Sequence, residues 1–198
     1  MYTVIGAAQN RTFRVIWMLE EIGQPYQRIR AKQHTAEIKQ HSALGKMPVL
    51  LDDGDAITDS MAIMTYLADK HGALTAGAGT IARAKQDALA FHILDDLESL
   101  VWTGARHGFI LPEERRVPDI KDTLKWEWAR NLKSVEVRFK GPFLMGEEMT
   151  VPDILLTHVL NWGFGAKFPI ESEVLLDYSK RMRARDAFQR AVASEKEE

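Results

Sequence analysis

The fold is decided by residues 45–60, which read GKMPVLLDDGDAITDS. An apolar run at residues 49–51 leads into the turn signal Asp52-Asp53-Gly54-Asp55, so this part of the stretch predicts a β-hairpin. Residues 58–60 can cap a helix, and they stand directly before the apolar run 61–64. The stretch therefore predicts a strand, a tight turn, a second strand and the start of a helix.

Two features of this stretch can carry chemistry. Pro48 stands directly before a strand, where it cannot donate a ladder hydrogen bond, and bonds to proline are where cis peptides occur. Asp59 and Ser60 combine a carboxylate and a hydroxyl with the free N–H groups of a helix start. Such a set can bind a zwitterion, with Asp59 on the ammonium and the other groups on the carboxylate. An ordinary hairpin and helix cap explain the same residues, and this stretch alone favours that simpler interpretation.

Composition indicates a globular protein of one large or two small domains, with 198 residues, 45% of them hydrophobic and 27% charged. The net charge of −2 gives no reason to expect nucleic acid or an anionic membrane as a partner. Because the sequence has no cysteine, disulfides, thiolate metal sites and catalysis by a protein thiol are excluded. The other candidate ligands show no metal-binding spacing. We see neither a signal peptide nor a membrane span, and we expect a cytoplasmic protein.

Secondary-structure patterns divide the chain into an α/β part and a helical part. Strands are predicted at residues 2–5 and 26–30, and helices at residues 11–22, 35–40 and 60–70. A strand–helix–strand unit followed by a hairpin gives a mixed four-stranded sheet with helices on its faces. After a segment rich in small residues, helices are predicted at residues 81–103, 119–140, from 150, 172–183 and 186–193, with an irregular segment at 107–117. The predicted domains are an α/β domain at 1–73, a linker at 74–80 and an all-α domain at 81–198.

A capping box is predicted at Thr150-Val151-Pro152-Asp153, with Asp in place of the usual Glu or Gln. Pro152 falls in the first turn of the following helix, where its missing N–H costs no hydrogen bond. We interpret this motif as a folding element without a catalytic role.

Five separated segments resemble one known family, the glutathione S-transferases, in its bacterial form. They are the first helix at 13–23, the cis-proline segment at 44–50, the acidic–serine motif at 58–63, the buried capping box at 144–153 and the C-terminal ending at 182–191. Each motif alone is weak, but five in order cover nearly the whole chain. The resemblance implies a thioredoxin-like N-terminal domain that binds glutathione and an all-α C-terminal domain that supplies the second-substrate pocket.

The resemblance also assigns glutathione contacts to positions of this sequence. The backbone of Met47 pairs with the cysteinyl part, with Pro48 in cis. Asp59 and Ser60 hold the γ-glutamyl end. The side chains expected at the glycyl carboxylate are His34 or Gln33, and Lys46.

At the thiol-activating position the sequence departs from the family pattern. Ile5 replaces the tyrosine of some classes, and Asn10 replaces the Ser or Cys of others. Gln9 stands where further classes place Ser, and Thr12 offers a hydroxyl, although a helix cap explains Thr12 equally well. The catalytic candidates are therefore Asn10, Gln9 and Thr12. An amide can donate to a thiolate but cannot relay a proton.

Charged and aromatic residues give the remaining candidates. Arg11 and Arg14 flank the first helix start and are interpreted as surface or dimer-contact positions, with positive potential near the thiolate as an alternative for Arg11. Trp102 and His107 are the best candidates for the second-substrate pocket, because they close the long helix and begin the following loop.

The resemblance implies an enzyme of detoxification that conjugates glutathione to small hydrophobic electrophiles. Some family members with Asn at the position of Asn10 act on disulfides or peroxides through glutathione, so a glutathione-dependent reductase is an alternative. A noncatalytic glutathione-fold binding module is a further alternative. We expect glutathione as co-substrate, no metal and a homodimer, with interface candidates on the long helix after the linker and at Met61, Met64 and Tyr66.

Overall fold

The computed structural model describes residues 1–194, and within them the chain forms two compact units. The first unit consists of Met1–Ala78 together with the segment that begins at Ala184, and the second unit consists of Gly79–Arg183. The predicted division at residues 73 and 81 differs from these units mainly at the C-terminal end. Because a compact unit is not by itself a domain boundary, that division stays a prediction.

The first unit is built on a four-stranded sheet in the order β2-β1-β3-β4, where the strands are β1 (Tyr2–Ile5), β2 (Tyr26–Ile29), β3 (Val49–Asp52) and β4 (Asp55–Thr58). β1 pairs with β2 in parallel and with β3 antiparallel, and β3 pairs antiparallel with β4. The parallel pair follows from the strand–helix–strand order, and the antiparallel pair follows from the tight turn at Asp53-Gly54. The predicted mixed, thioredoxin-like sheet and the predicted hairpin are confirmed.

Helices complete the first unit and dominate the second. They are α1 (Thr12–Glu21), α2 (Ala36–His41), α3 (Ser60–His71), α4 (Ile81–Ile93), α5 (Ser99–Ala105), α6 (Ile120–Arg138), α7 (Val151–Gly165), α8 (Glu173–Arg183) and α9 (Asp186–Ala193). The predicted helical character of the second part of the chain is confirmed. Within residues 1–194, no helix combines the length and the hydropathy needed to cross a bilayer.

One predicted helix boundary is wrong. The helical run that begins at Ile81 does not end near Thr103 but continues to Ile110, through π-helical turns at Leu94–Glu98 and Arg106–Ile110 on either side of α5. A π turn adds a residue to the helical period, so the 3.6-residue pattern is lost although the helix goes on. The first strong helix breaker after α5 is Pro112, two residues beyond the end of the run.

α1 forms the centre of the first unit, because it packs against α3 and α9 as well as the sheet. Trp17 is fully buried, and the ring of Phe188 from α9 meets it edge-on, with 4.9 Å between ring centroids. Phe188 also contacts Phe13, with 5.1 Å between centroids. Aromatic contacts of this kind fix the position of α1, which begins beside the residues predicted to activate a thiol.

Two arginines attach the C-terminal segment to the end of α1. Arg185 binds both carboxylate oxygens of Glu21, with N–O distances of 2.7 and 2.8 Å, and Arg190 binds Glu20 at 2.8 Å. The arginines place positive charge at the C-terminal end of α1, where the helix dipole and two neighbouring glutamates are negative. These pairs explain why α9 belongs to the first unit, although it follows the helical segment in sequence.

The predicted capping box is present at the start of α7. Asp153 is fully buried and its carboxylate accepts four hydrogen bonds, from the backbone N–H groups of Leu144 and Thr150 and from the hydroxyls of Thr150 and Tyr178, at 2.8–3.0 Å. Burial raises the pKa of Asp153, and the four hydrogen bonds oppose that rise. Asp153 therefore joins the loop before α7 to α8, which is more than a helix cap does.

Candidate functional site

The loop between β1 and α1 holds Asn10 in a defined orientation. Its side-chain oxygen Oδ1 accepts hydrogen bonds from the backbone N–H of Thr12 at 2.9 Å and from the Thr12 hydroxyl at 2.7 Å. Thr12 is fully buried, and its hydroxyl donates to Asn10 at the start of α1. Gln9 is exposed. Of the three catalytic candidates, Asn10 and Thr12 are therefore directly joined.

Gly6 connects this loop to the segment before Pro48. Its backbone φ is +143°, and a Cβ built on it would lie 2.3 Å from Oγ1 of Thr12 and 3.2 Å from Cβ of Met47. Only glycine fits between these two residues in that conformation. In the sequence, Gly6 is marked only by its position directly after the first strand, which does not predict these contacts.

Replacing Gly6 with alanine is expected to lower the free energy of unfolding by about 3 kcal/mol, because the methyl group meets the Thr12 hydroxyl in a backbone conformation that alanine disfavours. Gly54→Ala is the matched control. Gly54 also has a positive φ and lies in the same unit, but no atom lies within 4 Å of a Cβ built there, so about 1 kcal/mol is expected. Urea unfolding measures both, and equal losses would contradict the proposed contact.

The peptide bond between Met47 and Pro48 is cis, as the resemblance predicts. Pro48 is buried and Met47 is half-buried. β3 begins at Val49, so the backbone of Met47 lies just outside the strand ladder. Lys46 is exposed, and its backbone N–H donates to Oγ of Ser42 at 3.2 Å.

His34 lies against the same segment. Its backbone N–H donates to the carbonyl oxygen of Gly45 at 2.8 Å, and a Cβ built on Gly45 would come within 2.8 Å of the His34 imidazole Nδ1. The imidazole therefore covers Gly45, the residue directly before Lys46. Gln33, the alternative to His34, is exposed. His34 and Lys46, two candidates for the glycyl carboxylate, thus stand on neighbouring loop segments.

Asp59 caps α3 in a strained backbone conformation. Its φ is +73° and its Oδ1 accepts the backbone N–H groups of Met61 at 2.8 Å and Ala62 at 3.1 Å. A positive φ in a residue other than glycine is costly, and such strained residues cluster at functional sites. The carboxylate is exposed, and its second oxygen, Oδ2, accepts neither of these two N–H groups.

Ser60, by contrast, is buried, and its Oγ accepts a hydrogen bond from Nη1 of Arg14 at 3.3 Å. Because a guanidinium only donates, this bond leaves the Ser60 hydroxyl proton to donate to another acceptor. The expectation that Arg14 is a surface or dimer residue is wrong, since Arg14 is fully buried. It lies on the side of α1 that packs against α3, and it brings a positive charge next to the start of α3.

The second-substrate candidates lie in the second unit. Trp102 is half-buried on α5, between the two π turns, and its ring centroid lies 6.1 Å from that of Trp162. Nδ1 of His107 accepts the backbone N–H of Val117 at 3.1 Å. Each side chain is thus held by a different neighbour. π turns are frequent at functional sites, which favours this region as a binding surface.

Two cavities lie elsewhere in the units. One, of about 460 Å³, is lined by α6 and the start of α8, and the other, of about 790 Å³, by the end of α1, β2 and α9. None of the predicted site residues lines either cavity. Within the described part of the chain, no group of His, Asp and Glu side chains is arranged to hold a metal ion.

Comparison with known proteins gives a consistent result. The N-terminal domain of glutathione S-transferases matches residues 11–70. Glutathione S-transferase GstA of Escherichia coli O157:H7 is 29% identical over 157 residues, which are 76% of this chain and 74% of that protein.

Solved structures extend the similarity to almost every residue. A glutathione transferase from Methylococcus capsulatus superimposes with a TM-score of 0.87 at 25% identity, covering 99% of both chains. A family member from Pseudomonas fluorescens, solved with two glutathione molecules bound, gives a TM-score of 0.79 at 27% identity, covering 96% of this chain and 92% of that one. Residues 11–70 thus match the N-terminal domain of the glutathione S-transferases, and the chain as a whole has the fold of a glutathione transferase.

Proposed function

We propose that the protein binds glutathione in its first unit and conjugates the thiol to small hydrophobic electrophiles. The observation that carries this proposal is the contact at Gly6, which places the Asn10–Thr12 pair beside Met47. If the cysteinyl part of glutathione pairs with the backbone of Met47, its thiol therefore lies next to the start of α1. The family relative solved with glutathione supports the choice of ligand.

The γ-glutamyl end of glutathione is a zwitterion, and the start of α3 offers a group for each charge. Oδ2 of Asp59 accepts the ammonium group, while Oδ1 continues to cap the helix. The Ser60 hydroxyl and the positive end of α3 bind the carboxylate. The buried guanidinium of Arg14 strengthens this positive potential.

Replacing Asp59 with asparagine is expected to raise the Kd for glutathione about tenfold, because the ammonium group loses a charged partner. Asparagine caps helices as well as aspartate does, so the free energy of unfolding changes by less than about 0.5 kcal/mol. Titration calorimetry gives the affinity and urea unfolding gives the stability. Asp55→Asn removes an exposed carboxylate of the same unit and serves as control. If Asp59→Asn and Asp55→Asn bound glutathione with equal affinity, Asp59 would not be part of the glutathione site.

In the reaction, the glutathione thiolate attacks an electrophilic carbon of the second substrate. A sulfur–carbon bond forms, and the bond to the leaving group breaks with its electron pair. A free thiol has a pKa near ~8.5, so the protein must favour the thiolate at neutral pH. The amide N–H groups of Asn10 and the positive end of α1 supply that stabilisation. Trp102 and His107 are the proposed lining for the second substrate.

A panel of aryl halides, epoxides and activated alkenes tests this function in steady-state assays. Conjugation above the uncatalysed rate supports it. Glutathione binding without conjugation of any member would contradict the transferase. If calorimetry detects no binding at millimolar glutathione, the noncatalytic module is the better description.

Glutathione-dependent disulfide reduction is the second candidate, favoured by an amide at position 10 in a chain without cysteine. Here the thiolate attacks the glutathione sulfur of a mixed disulfide. The product thiol leaves as its anion and takes up a proton, and oxidised glutathione forms. The bacterial relative with two bound glutathione molecules is consistent with such a reaction. Turnover of a mixed disulfide, coupled to enzymatic recycling of oxidised glutathione, measures it.

We further propose a homodimer that uses α4. Ile81, Ala84, Ala88 and Phe91 are spaced three, four and three residues apart, so they lie on one face of the helix, and all four are exposed. Met64 is fully buried in its own unit and cannot be an interface residue. Sedimentation equilibrium of wild type and Phe91→Glu tests this assignment. A cytoplasmic location stays a prediction.

A further inference from the structure

The hydrogen bonds at the start of α1 assign different tasks to Asn10 and Thr12. A backbone N–H can only donate, so the side-chain atom of Asn10 that faces Thr12 is the amide oxygen. The amide nitrogen, with its two N–H donors, is then the atom of the amide that is not bonded to Thr12. This orientation follows from the bonding partners.

The Thr12 hydroxyl has one proton, and it donates that proton to the same oxygen at 2.7 Å. It therefore has no proton left for a thiolate. The hydroxyl is also fully buried and confined by Gly6, because a Cβ built there would lie 2.3 Å from it. Direct contact between Thr12 and a ligand is thus blocked, while its contact with Asn10 is fixed.

We infer that Thr12 is a positioning residue that locks the oxygen of the Asn10 amide in place and so leaves the N–H groups of that amide as the donors for the thiolate; this inference rests on the proposed glutathione site. One hydrogen bond from the backbone N–H selects the oxygen but leaves the amide free to swing about it. A second bond, from the hydroxyl to the same oxygen, restricts that motion. A donor held in place before the thiolate forms stabilises it more than a mobile one does.

Four variants test the lock: Thr12→Val, Thr12→Ser, Asn10→Ala and the double variant Asn10→Ala/Thr12→Val. Thr12→Val keeps the size of the side chain and removes the hydroxyl. We expect it to lower kcat/KM about tenfold and to raise the pKa of the bound glutathione thiol by about half a unit or more, with the Kd for glutathione changed less than about threefold. Thr12→Ser restores the hydroxyl and is expected to stay within about twofold of wild type.

The double variant separates positioning from direct action. If Thr12 acts through Asn10, Thr12→Val changes kcat/KM by less than about twofold once Asn10 is alanine. A full tenfold loss in that background would overturn the inference and make Thr12 a direct contact. An unchanged thiol pKa in Thr12→Val would overturn it as well. Should Thr12→Val not fold, Thr12→Ala removes the same hydroxyl without adding volume.

A measurement without glutathione tests whether Thr12 holds the Asn10 amide in place, independently of the proposed function. The side-chain NH₂ group of Asn10 is visible by NMR, and its order parameter reports the motion of the amide. We expect a rigid amide in wild type and Thr12→Ser and a mobile one in Thr12→Val. Equal mobility in all three would refute the lock. Failure of wild type to bind glutathione in calorimetry would instead refute the glutathione site and leave the NMR result to decide the lock.

Discussion

Asn10→Asp is expected to lower kcat/KM for conjugation at pH 7 by about 100-fold or more, the largest catalytic effect of any single change considered in this chain. The substitution keeps Oδ1, so both hydrogen bonds from Thr12 remain. It replaces the N–H donors with a carboxylate oxygen. The thiolate then loses a donor and gains a negative neighbour, and both changes raise the pKa of the bound thiol.

The pH dependence of kcat/KM shows in which direction Asn10→Asp shifts the pKa of the bound thiol. Activity requires the thiolate, so kcat/KM rises with pH through the pKa of the bound thiol. In Asn10→Asp that rise is expected at higher pH, and part of the activity lost at pH 7 is recovered under alkaline conditions. Ultraviolet absorbance of the thiolate, recorded against pH with saturating glutathione, gives the pKa directly. Stability is expected to hold or increase, because aspartate at a helix start interacts well with the dipole.

Gln9→Glu is the matched control for this prediction. Gln9 is the exposed neighbour of Asn10, and the change from amide to carboxylate adds the same charge one residue away. A loss of less than about fivefold is expected, because an exposed charge is screened by solvent. If Gln9→Glu were as damaging as Asn10→Asp, Asn10 would not be the specific donor. Either Gln9 would donate to the thiolate, or the added negative charge alone would cause both losses.

The parts of the site that could be predicted from sequence are those encoded locally. The hairpin of β3 and β4 and the cap at Asp59 depend on a few consecutive residues, and turn and cap preferences describe such residues well. The mixed four-stranded sheet followed from the order of its elements, and its thioredoxin-like character came from the family resemblance. The cis bond before Pro48 came from the family resemblance, since local sequence alone does not separate cis from trans.

The missed features depend on contacts between distant residues. Arg14 was placed on the surface because arginine is rarely buried, and only the packing of α1 against α3 shows its contact with Ser60. Gly6 matters through Thr12 and Met47, and the latter lies forty-one positions later in sequence. The attachment of α9 to α1 needs Arg185 and Glu21 to meet across the chain. None of these contacts between distant residues leaves a periodic pattern in the sequence.

Asp153→Ala is expected to lower the free energy of unfolding by about 3–5 kcal/mol, the largest stability effect predicted here. The carboxylate is fully buried and accepts four hydrogen bonds. Alanine leaves the buried N–H of Leu144, the N–H of Thr150 and the hydroxyl of Tyr178 without this acceptor. A buried donor that loses its partner costs about 1–3 kcal/mol. Loss of a simple helix cap would lower the free energy of unfolding by only about 1 kcal/mol.

Urea unfolding followed by circular dichroism measures the loss, with two variants for comparison. Asp122→Ala removes an exposed acidic residue from the first turn of α6, so it isolates the helix-dipole contribution, for which less than about 1 kcal/mol is expected. Tyr178→Phe removes one of the four donors and is expected to cost about 1–2 kcal/mol. If Asp153→Ala cost no more than Asp122→Ala, Asp153 would act only on the dipole of α7. The expected order, with Tyr178→Phe in between, requires that the carboxylate itself holds the loop before α7 and the helix α8 together.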